Sequence, residues 1–195
     1  MGSTLIERAE EYERLVAGLP GKTIVGVDYC VLCGGEDGTE PEDWDYDGWH
    51  QPTMGVELLM AGGEQYSAVW DHTFEYYGIE LHRSPLTDHV LAPEDGGTNA
   101  RSTLTMNPAW AGLIGEPIES AAIQWDSDEP HSALFVPLAI HLRTAKAKVW
   151  IGVGALAGGA ADDPFHLGTE DVFVAFDAES KPVRELHALR PHTMN

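Results

Sequence analysis

The side chains best placed to do chemistry are Glu36, Asp37, Glu40, Glu42, Asp43, Asp45 and Asp47, seven carboxylates that surround Trp44, Tyr46 and Trp49. Carboxylates in water steer and select a cationic partner, while indole and phenol rings supply buried contact area. The stretch is therefore read as a binding surface for a basic protein, with Trp44 and Trp49 as anchoring rings. The bland alternative is a solvated loop whose aromatics fold back onto the core. Asp43-Trp44-Asp45-Tyr46-Asp47-Gly48 also matches the first half of a calcium loop, with hard oxygen ligands at alternate positions and Gly at the sharp turn. An EF-hand needs Glu at the twelfth position, where Met54 stands with Pro52 just before it, so an EF-hand is excluded. A different calcium site on Asp43, Asp45 and Asp47 stays as an alternative.

Other reactive residue types carry less. Cys30-Val31-Leu32-Cys33 is a C-x-x-C, but Gly-Gly-Glu-Asp-Gly follows it instead of a helix that would lower a thiol pKa. No second cysteine pair exists to complete a zinc site. Both cysteines are expected on a half-buried strand. His72 beside Asp71, with His82, and His131 with His141, could suggest catalysis or metal binding. None has the helical spacing of H-E-x-x-H, and surface or strand-edge histidines are expected. Asp126, Asp128 and Glu129 read as a turn. There is no G-x-S-x-G, no Walker loop and no G-x-G-x-x-G after a strand. Gly154–Asp163 is Gly-rich but opens no phosphate-binding helix. No catalytic residue and no cofactor is assigned.

The elements that must position these groups begin with a helix. Thr4 and Glu7 form a capping box, Leu5, Ile6, Ala9, Tyr12, Leu15 and Val16 recur at helical spacing, and Gly18 to Gly21 ends it. Strand signals then dominate. Lys22–Leu32 alternates, and Gly55–Ala61 and Glu64–Asp71 read as a hairpin about Gly62-Gly63. Tyr76–Arg83 is a further strand, and residues 84–100 are a loop. Asn107–Leu113 is a helical turn. Four more strands follow in Pro117–Asp126, Ala133–Thr144, Lys148–Ala155 and Glu170–Asp177. Lys181–Arg190 predicts a final helix.

Two passages echo each other. Leu19–Ile24 (LPGKTI) resembles Leu113–Ile118 (LIGEPI), each placing a Gly turn before a long strand. VELL then EQYSAVW matches IHLR then KVWIGVG, pairing Val56 with Ile140, Leu58 with Leu142, Tyr66 with Trp150 and Val69 with Val153. The reading is one domain over 1–195 built from related halves, about 19–83 and 113–177. From Ile24 to Val56 is about ten residues longer than from Ile118 to Ile140. The excess falls in Gly34–His50, a segment that the module itself should not need for folding.

Composition limits the partners. The chain has 195 residues, 32 Asp and Glu, 11 Lys and Arg, and a formal net charge of −21. Such a surface repels phosphates and anionic lipid, so nucleic acid and membrane are not expected ligands. Between Lys22 and Arg83 there are 13 acids and no Lys or Arg, a local excess that general solubility does not predict. No run suits a membrane helix, the N-terminus lacks a secretory pattern, and two cysteines suit a reducing compartment. A cytoplasmic protein is expected.

Trp110, Leu113-Ile114-Gly115, Gln124-Trp125, Pro137, Leu142 and Glu170–Asp177 together resemble uncharacterised bacterial domains. Small acidic proteins of that look are similar to immunity proteins of contact-dependent or polymorphic toxin systems. The resemblance implies a partner-binding protein and carries over no site residues. The expected fold is α+β, mostly antiparallel sheet in two related halves with an N-terminal helix. The expected function is non-enzymatic binding of a basic partner, in the form of immunity-type inhibition of a toxin or enzyme. The alternatives are an enzyme or small-ligand protein using a cleft between the halves, with His72, His82 or His141 converging there, and a calcium-dependent binding module.

Overall fold

Thr4 starts the chain's helix as its residue types dictate. Its hydroxyl accepts the Glu7 N–H at 3.3 Å, and the Glu7 carboxylate accepts the Thr4 N–H at 2.7 Å, so two orphan donors of the first turn are satisfied. Helix α1 (Leu5–Ala17) ends at Gly18 and buries Ala9, Tyr12 and Val16. The Tyr12 hydroxyl donates to Ile79 O at 2.8 Å, and its ring meets Phe74 and Trp125 edge-on. One helix face thus seals one side of the core. The computed structural model describes residues 4–46, 48–74, 77–90, 99–126, 136–156, 165–167 and 171–176. The expected final helix and His131 lie outside them.

The remaining elements are strands β1 (Ile24–Gly34), β2 (Glu40–Pro41), β3 (Asp45–Tyr46), β4 (Trp49–Thr53), β5 (Gly55–Met60), β6 (Gln65–Asp71), β7 (Gly78–His82), β8 (Asn99–Thr103), β9 (Ser120–Trp125), β10 (Pro137–Arg143), β11 (Lys148–Leu156), β12 (Phe165–Leu167) and β13 (Asp171–Phe176). They form two antiparallel sheets. The first has the order β2-β1-β5-β6-β7, with β8 also on β1. The second has the order β3-β4-β13-β11-β10-β9, with β12 on β11. Val27, Tyr29, Val56, Leu58 and Ile79 of the first sheet share one core with Ile140, Leu142, Val149, Ile151 and Val174 of the second. The fold is α+β, as the alternating strand pattern predicts.

The two halves are visible in the connectivity. Strands β1-β5-β6-β7 and β9-β10-β11-β13 are each a four-stranded meander in chain order. The echoing passages are themselves paired. Gly21 N–H donates to Ile118 O, Ile118 N–H to Lys22 O, and Gly115 N–H to Ile24 O, each at 2.8 Å. Gly21 and Gly115, which occupy the same place in the two passages, have φ of 85° and 81°, a left-handed turn that Gly makes without strain.

The structure corrects the proposed register in one hairpin. Leu58 pairs with Tyr66, whereas Leu142 pairs with Val149. Tyr66 therefore corresponds to Val149, not Trp150. Because a one-residue slip exchanges the faces of a strand, Tyr66 is in the core while Trp150 lies on the outer face.

A second correction concerns Gly34–His50. Far from being dispensable for folding, it supplies β2, β3 and part of β4, and β4 pairs with β13. The first half thereby covers the edge of the second sheet, while β8 covers β1 in the first. An uncovered edge is a template for aggregation. The chain crosses between sheets at Thr53, whose φ of 35° is rare for a β-branched residue. The Thr53 hydroxyl accepts the Leu32 N–H at 2.6 Å and ties the crossing to β1. Strands 40–41, 45–46, 49–53 and 99–103 escape the hydrophobic pattern because they are short, acidic or interrupted by Pro52.

Candidate functional site

The acidic segment spans the β1–β2 turn, where Gly34 pairs with Glu40, and runs on into hairpin β3–β4. Asp45 pairs with His50 and Tyr46 with Trp49, and Gly48 at φ 83° serves the turn. Glu42 N–H donates to Leu32 O at 3.0 Å and Gln51 N–H to Trp44 O at 2.7 Å, which anchors both ends. Glu36, Asp37, Glu40, Glu42, Asp43 and Asp45 are exposed. Asp47 lies outside the described residues.

These six carboxylates differ from Asp28, Glu57 and Glu64 of the same cation-free stretch. Asp28 and Glu57 are paired with Arg101, and Glu64 with Lys22 and Arg83, all three bases coming from outside the acidic interior of that stretch. Lys22, donating a hydrogen bond at 2.7 Å, holds the Glu64 carboxyl below its ordinary range. Among the described residues no Lys or Arg ion-pairs with any of the six.

The rings do not behave as anticipated. Trp49 is only 3% exposed, packed with Phe173 and Ala175, and Tyr46 stacks on it at 4.4 Å. Trp44 is half-buried, edge-on to Tyr29 and His50. Trp49 is therefore not an anchor for a partner, and Trp44 presents at most an edge. Apolar rings next to a sheet edge gain more by covering it than by waiting in water. Of the three carboxylates considered for calcium, Asp43 and Asp45 are described and Asp47 is not. The segment is a paired hairpin, and Asp45 is engaged by His50, with Nε2 to Oδ1 at 3.3 Å.

Beneath the hairpin runs a polar chain that no motif announces. The Trp110 indole N–H, a donor only, gives its hydrogen to Tyr29 Oη at 2.9 Å. Tyr29 Oη lies 2.9 Å from His50 Nδ1, so the phenol proton goes to that nitrogen and the neutral imidazole keeps its own on Nε2, toward Asp45. Tyr29 and Trp110 are fully buried and His50 nearly so. Burial raises the Tyr29 pKa well above its ordinary value. Burial also lowers that of His50, against the opposing charge of Asp45. This is an inter-sheet clasp, closed to any substrate.

The pH consequence follows from the sign of the His50 shift. Its folded pKa lies below about 6.5, so the unfolded chain binds more protons across the window between them, and stability falls as pH drops through it. His50→Gln is expected to flatten that part of the pH dependence, read from urea unfolding at pH 7.5 and 5.5. An unchanged slope would remove His50 from the account.

A second cluster lies on the outer face of the first sheet, where Asp28, Glu57, Ser67 and His82 form a cross-strand row. Residues 84–90 cover it. Glu57 accepts the Leu86 N–H at 2.7 Å, and Ser67 Oγ donates to Ser84 O at 2.7 Å. Here the turn brings His89 against His82, the rings stacked with centroids 4.1 Å apart. Asp71 Oδ2 is 3.2 Å from His82 Nε2, and Ser84 Oγ is 2.6 Å from His89 Nε2. Beside Asp71 and His89, a shallow cavity is lined by Thr53, Met54, Val69, Trp70 and Val90. Burial lowers the pKa of both His82 and His89. His89 went unremarked in the sequence because it joins the others only through the turn at Leu86–Asp88.

The remaining candidates separate. His141 stacks on Trp150 at 4.4 Å on the outer face of the second sheet, far from the row that holds His82. Of the histidines considered for a cleft between the halves, His82 and His141 therefore do not meet. Cys30 and Cys33 are free thiols on β1, three residues apart and so on opposite faces; burial pushes the Cys30 thiol up to about 11. Among the described residues no helix is long and apolar enough to cross a membrane. Comparison of the chain with protein-family models, curated proteins and solved structures gives no match.

Proposed function

We propose that this chain binds a basic protein through the exposed carboxylates of residues 36–45, in an immunity-type role in which they cover cationic groups of a toxin or enzyme. The observation that carries this reading is the contrast within one stretch of sequence. Asp28, Glu57 and Glu64 receive Lys or Arg from elsewhere in the chain, while the six exposed carboxylates of residues 36–45 receive no Lys or Arg among the described residues. Glu40 and Asp45 stand on β-paired backbone and the Glu42 N–H is bonded to Leu32 O, so much of this segment is held in place before binding and loses little backbone freedom on it. With Trp49 buried, the interaction is electrostatic in character, so it acts on association rate and salt dependence more than on residence time.

The test compares two variants with the same change in net charge. Asp37, Glu42 and Asp43 are replaced by Lys in one, and Glu10, Glu11 and Glu13 of α1, also exposed, in the other. Asp45 is spared because it contacts His50. With a partner captured from the native host, the hairpin variant is expected to associate about 10- to 1000-fold more slowly at low ionic strength. The helix variant should change little. Equal effects in both would reduce the reading to net charge alone.

A further inference from the structure

We propose that Asp71, His82 and His89 bind one divalent transition-metal ion of the zinc type, with a coordination position open toward the adjoining cavity. This rests on observations separate from the acidic hairpin. Two imidazoles and one carboxylate are a donor set that suits zinc and its neighbours better than calcium or magnesium, which prefer oxygen alone. One ligand atom from each residue lies within 4.8 Å of the others. Zinc–ligand bonds of about 2.0–2.1 Å place neighbouring donors about 3.3 Å apart in a tetrahedral site. Asp71 and His82 already have that separation, at 3.2 Å. His89 is exposed on a turn, and to reach zinc's donor spacing its ring must turn out of its stack on His82 and its donor atom close by at most about 1.5 Å.

Two further features point to a ligand. His82 Nε2 is buried and has no hydrogen-bond partner, although it faces the Asp71 carboxylate. A buried polar atom left in this state is uncommon in native structures and calls for an explanation such as an ion. The surrounding groups also orient the donors as outer-shell partners do. Ser84 Oγ contacts His89, and the His72 backbone N–H donates to Asp71 Oδ1 at 2.7 Å. Three protein ligands leave a tetrahedral ion one position for water or an exchangeable group. The cavity beside Asp71 and His89, walled by Met54, Val69, Trp70 and Val90, is where that position opens.

The experiment titrates zinc chloride into the tag-free, chelator-dialysed chain by calorimetry, with cobalt(II) absorption as a second readout of coordination. The expected result is one ion per chain and a visible cobalt band of a four- or five-coordinate site. His89→Ala, an exposed position that the fold does not need, and Asp71→Asn should each weaken zinc by more than about 100-fold. Ser84→Ala should weaken it by about 10-fold, since removing outer-shell partners costs about 10- to 100-fold. His141→Asn, on the other sheet, should bind as the unaltered chain does. Absence of stoichiometric zinc binding, or binding that survives in both His89→Ala and Asp71→Asn, overturns the site. If His82→Ala unfolds, the other two variants still decide.

Discussion

Trp110→Ala is expected to lower the free energy of unfolding by about 3–5 kcal/mol, the range for removing a buried large aromatic side chain. The indole is completely buried, edge-on to Tyr29 and to Phe176, and so fills space between β1 of the first sheet and β13 of the second. Its removal deletes apolar contact with both and strips Tyr29 Oη of its donor. Tyr29→Phe isolates the polar part of the same cluster. It keeps the ring but leaves the Trp110 N–H and His50 Nδ1 without their partner, and buried orphans of that kind cost about 1–3 kcal/mol. Urea unfolding of both variants provides the measurement, and the alanine variant should lose clearly more. Against a total stability of about 5–15 kcal/mol for a native protein, the larger loss would leave a marginal fold. If the two variants were equally destabilised, the indole would matter for its hydrogen bond and not for the volume it fills.

Arg101→Met should produce the next largest loss. On the outer face of the first sheet, Asp28 is 7% exposed and Glu57 fully buried. Arg101, arriving on β8, donates to Asp28 Oδ2 from Nε at 3.1 Å and Nη2 at 2.6 Å, and also to Glu57 Oε1. Methionine preserves most of the apolar stem but leaves two neighbouring carboxylates without a cation. Breaking a buried ion pair by deleting one partner costs about 3–5 kcal/mol. The Arg101 side chain is itself 43% exposed, so water moderates the effect, and about 2–3 kcal/mol is expected. Adding Glu57→Gln to Arg101→Met removes the stranded charge and should recover part of the loss, a coupling that a double-mutant cycle measures. Additive losses would show that Arg101 acts by holding β8 on β1 rather than by charge.

Both predictions turn on residues that the sequence offers no reason to connect. Trp110 is placed in advance within a turn that begins at Asn107-Pro108, and that turn forms as expected, with Asn107 capping Ala109 N–H at 2.9 Å. That its indole would meet Tyr29, 81 positions earlier, depends on how the sheets stack. Arg101 lies just past the Pro-, Gly- and Thr-rich loop read at residues 84–100, in residues to which the sequence assigns no element. Its strand, β8, exists because β1 has a free edge to pair with, which is a property of the assembled sheet. The acidic segment shows the same division. Its carboxylates are exposed as their solvation requires, but its indoles were legible only as aromatic, since a ring can face a partner or its own core with the same local sequence.

The amino-acid sequence alone determined the capped helix, the β5–β6 and β10–β11 hairpins, the alternation that makes the chain mostly antiparallel sheet, the echo of two halves and the local excess of negative charge. Each of these follows from neighbours within a few positions, through capping, side-chain period, turn glycines or composition. The tertiary structure alone decided that β4 leaves its own half to complete the other sheet, that Tyr66 answers to Val149, that Trp49 is interior, and that Asp71, His82 and His89 meet. Those outcomes depend on which surfaces are buried against which, and burial is a relation between distant segments that no local pattern encodes.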